Sequence, residues 1–259
     1  MPEGPEILLF SEYLKQYIMN NYLTNIISIS KTKINILKKA KILDIGAKGK
    51  LLWLRTKHYY IHILLKISGW ISKENLKNPK YILLFDDNKK VYIDDPRKLC
   101  LIKIVENTEH ENILNILGID IFTRQFTINI FEKLLYELNM NICAFLMNQN
   151  IVCGVGNYIK NESLYLAKIH PKRKCNTLTN IEIKNLFNSI RFVCYSNLFE
   201  QLNEYRIKIN KKFISDKPSF LEVPYKFKVY KQDRDPNGYK VISEIIAGRN
   251  TYYISEIQF

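Results

Sequence analysis

The sequence predicts an α+β protein: an N-terminal β-sandwich preceded by one helix, then a helical half that ends in a strand-like tail. Two changes of period carry that prediction. Between about residues 23 and 105 the apolar residues fall in short, β-rich runs separated by polar turns, and beyond about residue 108 they recur at the three-and-four spacing of helices. From Tyr225 the alternation of strands returns. A chain of 259 residues can bury one large core or two ordinary ones. With 47% hydrophobic and 25% charged residues, its composition excludes a disordered chain.

In order, Ile7 to Ile18 sets Ile7, Leu8, Tyr13, Leu14, Tyr17 and Ile18 at mixed three and four spacing, which predicts an amphipathic helix. Strands follow over Leu23 to Ile29, Lys41 to Ile45, Leu51 to Leu54 and Tyr59 to Ile67. Tyr81 to Phe85 and Val91 to Ile93 flank the polar turn Asp86-Asp87-Asn88-Lys89 and predict a hairpin. Together these runs suit a sandwich. Helical spacing then covers Ile113 to Leu117, Ile128 to Leu138, Ile142 to Gln149, Asn157 to Ala167 and Asn180 to Leu198. The change of pattern divides the chain into a first domain over 1–118, a linker over 119–127, a helical domain over 128–224 and a hairpin tail over 225–259. Asp235-Pro236-Asn237-Gly238 supplies the turn signal of that tail.

Lys and Arg number 39 against 25 Asp and Glu, a formal excess of +14 that points to a polyanionic partner, nucleic acid first. A basic surface kept for solubility or for a membrane face would carry the same charge, and an A/T-rich coding genome also enriches Lys, Asn and Ile. The opening MPEGPEILLFSEYLK lacks the basic and apolar regions of a signal peptide. No stretch reaches the roughly 18 apolar residues of a membrane span. Cys100, Cys143, Cys153, Cys175 and Cys194 are odd in number, scattered and never in a CxxC pair, which excludes a disulfide framework and a zinc site. The expectation is a protein inside the cell, without cofactor or metal.

Four short stretches carry chemistry. Removal of Met1 would leave Pro2 as a free secondary amine, whose attack on a sugar carbon gives a permanently cationic iminium, an electron sink. Glu3 beside it can move protons. Read alone, the same residues also suit the first turn of a helix. Gly154-Val155-Gly156-Asn157 permits close backbone approach and opens a helix with Asn157 as N-cap, a ready phosphate site or a plain helix start. Arg249, after Gly248 near the end of the tail, offers a rigid fork to a phosphate or a base edge, or is an ordinary exposed arginine. Lys50, in Lys48-Gly49-Lys50 between two strands, can reach a phosphate or stay solvated.

Taken together, MPEGPE, GK near residue 50, GVGNYIKNESLYLAKIHP and GRNTYYISEIQ resemble the formamidopyrimidine-DNA glycosylase and endonuclease VIII family, over almost the whole chain. The resemblance implies an N-terminal β-sandwich, a helix-two-turn-helix domain and a β-hairpin finger, with DNA in the cleft between. It implies Pro2 as nucleophile and Glu3 as general acid/base partner, with Lys50, Asn157 and Arg249 on the phosphates flanking an extruded nucleotide, Gly154 and Gly156 in the DNA-binding loop, and Glu6 and Glu162 as supporting acids. Leu65-Lys66-Ile67-Ser68-Gly69 resembles the stretch that supplies one wedge into the vacated stack, Ile67, although Lys66 replaces a glycine common there. Asp95-Pro96-Arg97-Lys98-Leu99 resembles the loop that supplies Arg97 against the orphaned base and Leu99 as a further wedge.

Family members with a zinc finger carry four cysteines around the terminal hairpin, whereas no cysteine follows Cys194. The tail resembles instead the zincless finger of the endonuclease VIII-like branch, held by packing alone, which tilts the expected lesions toward oxidised pyrimidines and hydantoins. The implied activity is base excision with β,δ-elimination on damaged duplex DNA, with single-stranded or bubble DNA as further partners, by a monomer in the nucleus or otherwise where DNA is replicated. A non-catalytic DNA-binding protein on the same scaffold, or more remotely an RNA-binding protein using the helix-two-turn-helix element alone, would share the basic surface. The joint presence of Pro2, Glu3, Lys50, Asn157 and Arg249 favours the enzyme. Tyr205 to Lys212, rich in lysine, reads as a lesion-capping loop, a DNA contact or a solvated face.

Overall fold

Helix α1 (Gly4–Ile18) opens the chain, with Pro5 in its first turn, where a missing N–H breaks no hydrogen bond. It buries Ile7, Leu9, Phe10, Leu14 and Ile18 and packs on β3 (Asp44–Lys48) and β4 (Leu51–Arg55). The computed structural model describes residues 2–29, 39–205 and 225–259, which form two compact units, Met1–Ile116 and Leu117–Phe259.

The first unit holds two antiparallel sheets. One runs β2-β1-β7-β8-β6, from β1 (Tyr22–Ser28), β2 (Ala40–Lys41), β6 (Trp70–Ser72), β7 (Pro79–Phe85) and β8 (Lys90–Asp94). The other runs β3-β4-β5-β9, with β5 (Tyr60–Leu64) and β9 (Leu101–Val105). Buried Leu23, Ile26, Leu83, Val91 and Ile93 of the first sheet, and Ile45, Leu52, Leu54, Ile61 and Ile63 of the second, are the apolar faces a sandwich requires. The β7–β8 hairpin turns at the expected Asp86 to Lys89, with Asn88 at φ +63°. The expected run Tyr59 to Ile67 ends earlier: β5 stops at Leu64 and residues 66–68 form a turn. Helix α2 (Asn107–Ile116) closes the unit by burying His110 against β5, where its Nδ1 meets His62 Nε2 at 2.8 Å and its ring stacks on Tyr60.

In the second unit, β10 (Ile119–Asp120) pairs in parallel with β11 (Val152–Cys153). Helices α3 (Ile128–Glu137), α4 (Ile142–Met147), α5 (Asn157–Leu166) and α6 (Asn180–Glu204) surround a core of Phe131, Leu135, Phe145, Ile159, Leu186 and Ile190. Thr127 caps α3, Asn141 caps α4, and a Thr179–Glu182 capping box starts α6. The stretch read as a linker, 119–127, contributes buried Ile121 and Phe126 to this core. Among the described residues no helix is long and apolar enough to cross a membrane, and the five cysteines form no disulfide.

The tail forms the hairpin β12 (Ile242–Ile246) and β13 (Arg249–Tyr253), paired from Ile242↔Tyr253 to Ile246↔Arg249. Its turn is Ala247-Gly248, both at positive φ (51° and 73°), as a two-residue hairpin loop demands. The Asp235 to Gly238 signal therefore marks a different turn, closed by the isolated bridge Arg234↔Lys240. Ala247 hid the true one, because alanine is not a residue that announces a left-handed backbone.

Candidate active site

In the first unit the chain start is fixed by two glutamates. Glu3 is the N-cap of α1, its carboxylate accepting from the Glu6 N–H, while Glu6 Oε2 accepts from the Glu3 N–H at 2.7 Å. Glu3 is 0% exposed, Glu6 is 5% exposed, and Pro2 is buried. Glutamate is not a preferred N-cap residue, yet here its carboxylate closes a capping box with Glu6 and so holds an acid next to Pro2 in the chain. Lys50 follows Gly49 in the tight β3–β4 turn, where Gly49 takes φ +58°. It lies between the two strands on which α1 packs.

The two expected wedge loops are also brought together in this unit. Ile67 is 36% exposed in the turn after β5, and Leu99 is 42% exposed with Arg97 exposed beside it in the loop after β8. Ser68 donates its hydroxyl to buried Asp95, and Cys100 Sγ donates to the Leu65 carbonyl at 3.0 Å, so the loops are tied side by side. Lys66, where glycine is common in the resembled stretch, keeps a glycine-like φ of +54°.

In the second unit the structure joins Asn157 to the start of β13. Gly156, not Asn157, is the N-cap of α5, and Asn157 is the first helical residue. Its Nδ2 donates to the Asn250 carbonyl at 2.9 Å. Gly154 has φ +102° and needs glycine's freedom, whereas Gly156 is extended, a conformation any residue adopts. Arg249 is exposed as the first residue of β13, and its carbonyl accepts from the Thr251 hydroxyl at 3.1 Å. Thr251 in turn accepts from the fully buried ammonium of Lys160 at 2.8 Å. Asn161 Oδ1 accepts from the Tyr252 N–H at 3.3 Å. Three side chains of α5 thus hold the strand that begins with Arg249.

Glu162, expected as a supporting acid, is a clamp within its own unit. Its carboxylate accepts from the N–H groups of Lys228, Val229 and Tyr230 at 2.9, 3.0 and 2.7 Å and from the Tyr225 hydroxyl at 2.5 Å. Burial first, and then the Glu162 charge and hydrogen bond, raise the Tyr225 phenol far above its usual range, so it stays a donor. Lys160 and Asn161 escaped the sequence reading because polar residues in a helix read as solvent-facing, whereas α5 buries every residue from Asn157 to Tyr165.

The hairpin residues do not fit a metal. Among the described residues no group of three His, Cys, Asp or Glu is placed to hold an ion, and Val229, Val241 and Ile254 pack with Tyr165 as an apolar cluster. Asp235 spends its carboxylate on the Asn237 and Tyr239 N–H groups and the Tyr165 hydroxyl, at 2.9, 2.8 and 2.8 Å. Packing alone is expected to hold the tail, but polar pins from α5 hold it too. Of the basic stretch 205–212, residues 206–212 lie outside the described residues.

Known proteins share the sequence pattern and the fold of this chain. Residues 1–102 match the profile of the formamidopyrimidine-DNA glycosylase N-terminal domain, and residues 117–203 match that of the formamidopyrimidine-DNA glycosylase H2TH domain. The formamidopyrimidine-DNA glycosylase of Wolbachia pipientis subsp. Culex pipiens is 32% identical over 74% of this chain and 76% of its own length. That of Shouchella clausii is 25% identical over 100% of this chain and 99% of its own. The MutM (Fpg) protein from Thermus thermophilus superposes with TM-score 0.79 at 21% identity, covering 99% of this chain and 98% of that one. Lactococcus lactis formamidopyrimidine-DNA glycosylase, solved non-covalently bound to DNA containing an AP site, superposes with TM-score 0.77 at 20% identity, covering 99% of each chain.

Proposed function

Because the chain belongs to the formamidopyrimidine-DNA glycosylase family, we propose that this DNA glycosylase of base excision repair uses the Pro2 nitrogen as its nucleophile and is also an AP lyase. The observation that carries the reading is a buried Pro2 followed in the chain by a glutamate that is 0% exposed at the N-cap of α1. Loss of Met1 turns the Pro2 nitrogen from an amide into a secondary amine. That nitrogen bonds to C1′ of the damaged nucleotide as the glycosidic bond breaks, and the base leaves with the bonding pair and takes up a proton. Glu3 protonates the ring oxygen as the sugar opens, giving the iminium. Loss of a C2′ proton then expels the 3′ phosphate, and a second elimination expels the 5′ phosphate.

Lys50, Asn157 and Arg249 serve as phosphate contacts in this reading, with the first turn of α5 presenting backbone N–H groups. Damaged duplex DNA is the substrate and the working form is a monomer. Oxidised pyrimidines and hydantoins are the favoured lesions, an expectation that rests on a tail without cysteines. Borohydride reduction in the presence of abasic DNA should trap a covalent protein–DNA adduct of the Met1-processed chain, and Pro2→Ala or Glu3→Gln should abolish base excision. Absence of any adduct from the processed wild type would remove the mechanism and leave a DNA-binding protein on a glycosylase scaffold.

A further inference from the structure

Ile67, Arg97 and Leu99 stand on two separate loops, and one buried carboxylate holds both. Asp95 is 1% exposed. Its Oδ1 accepts from the Ser68 hydroxyl and from the Arg97 N–H at 3.3 Å, and its Oδ2 accepts from the Cys100 N–H at 2.5 Å. Burial alone would raise this carboxyl, but the hydrogen bonds from Cys100, Ser68 and Arg97 outweigh burial and hold it below the usual carboxylate range. It is therefore an anion at neutral pH.

The surrounding contacts leave these loops little freedom. The buried Lys80 ammonium donates to the Lys98 and Cys100 carbonyls at 2.5 Å each, clamping the loop that Asp95 binds from its other side. The Gly69 N–H and the Cys100 thiol both donate to the Leu65 carbonyl at 3.0 Å. A Cβ at Gly69 would collide with Cys100 Sγ, so the two backbones run as close as they can. The buried groups are thus committed to the loop backbones, while the three side chains outside are left exposed.

We propose that Asp95 is a positioning residue for nucleotide extrusion: by binding both loops at once it presents Ile67, Arg97 and Leu99 as one preformed wedge. The proposal rests on the glycosylase reading above. A wedge already rigid in the free protein loses little further freedom on entering the base stack, so more of its contact energy goes into holding the stack open. A carboxylate suits the task because a single group can accept from donors on two loops.

The test is Asp95→Asn, which keeps the shape of the side chain but sets an amide N–H against a backbone N–H. Excision is followed on duplexes carrying one oxidised base opposite each of the four bases, and borohydride trapping is followed on a single-stranded abasic oligonucleotide, where there is no stack to fill. Duplex excision should slow about tenfold or more and the differences among opposite bases should shrink, while single-strand trapping stays within about twofold of wild type. Ser68→Ala, which cuts only the tie to the Ile67 turn, should show the same split at smaller size and keeps the test open if Asp95→Asn folds poorly. Equal loss on duplex and single strand, or no loss in either variant, would overturn the positioning role. A Met1-processed wild-type chain that excises nothing from the duplexes and forms no adduct with abasic DNA, single-stranded or duplex, would overturn the glycosylase reading itself, and this proposal with it.

Discussion

Lys66 holds φ at +54° in the turn that carries Ile67. A left-handed backbone costs an L-residue about 1–2 kcal/mol, whereas glycine occupies it freely but adds about 0.5–1 kcal/mol of chain entropy to be lost on folding. The difference decides the sign. Lys66→Gly should stabilise the first unit by up to about 1 kcal/mol, seen as a higher urea midpoint with an unchanged m-value; a lower midpoint would show that the lysine side chain contributes packing of its own. His62 is the other residue whose environment makes a prediction. Burial first, then the neighbouring His110 and the Lys103 charge, lower its pKa from 6.5 to about 4. His110 is lowered as well, chiefly by burial. The unfolded chain therefore binds more protons than the folded one in that interval, so stability is full above pH 6.5 and falls as the pH drops toward 4. Thermal unfolding across this range should show the loss, and His62→Gln should flatten it. An unchanged slope in the variant would place the pH sensitivity elsewhere.

At the scale of elements, α5 organises the second unit. It sends Asn157, Lys160 and Asn161 to β13, Glu162 to residues 228–230 and Tyr165 to Asp235, all from one ten-residue helix. Removing the Glu162 carboxylate leaves three backbone donors and a phenol without an acceptor, at about 1–3 kcal/mol for each group left buried. Glu162→Ala should therefore raise hydrogen exchange at residues 228–230 and 249–253 and weaken damaged-DNA binding, while chelators leave the wild type unaffected. Loss of activity on chelation would contradict the apolar cluster of Val229, Val241 and Ile254 as the tail's support. Periodicity made the long elements legible: α3, α5 and the β7–β8 hairpin lie where apolar spacing and turn residues put them. It could not reveal β6, three residues long, or β9, whose Leu101 and Ile104 face outward and break the alternation. The candidate site residues stood out as motifs, but the main-chain partners of Glu162 did not, because they are backbone N–H groups more than sixty residues away that carry no side-chain signature.

For the molecule as a whole, the +14 charge is the property that most directly governs encounter with DNA. Each phosphate neutralised by a lysine or arginine releases condensed counterions, so the logarithm of affinity falls linearly with the logarithm of salt, with a slope near −0.9 per contact on duplex DNA. A steep slope alone reports only a basic surface, which a solubility-driven charge would also give. The discriminating quantity is the change in slope on removing a single named contact. Arg249 is exposed, its side chain is absent from the apolar core, and the strand behind it is held by α5 through other residues, so Arg249→Ala should fold normally. If Arg249 meets a phosphate, the variant should bind damaged duplex more weakly and its salt slope should be shallower by about one unit. Contact with a base edge instead would lower affinity for particular sequences or lesions and leave the slope unchanged. Lys50→Ala, in the tight β3–β4 turn of the other unit, should lower the slope by a similar step if it too meets a phosphate. Additive changes in the double variant would then show that both units contact the same duplex, whereas a slope unmoved by either substitution would return the net charge to the general surface.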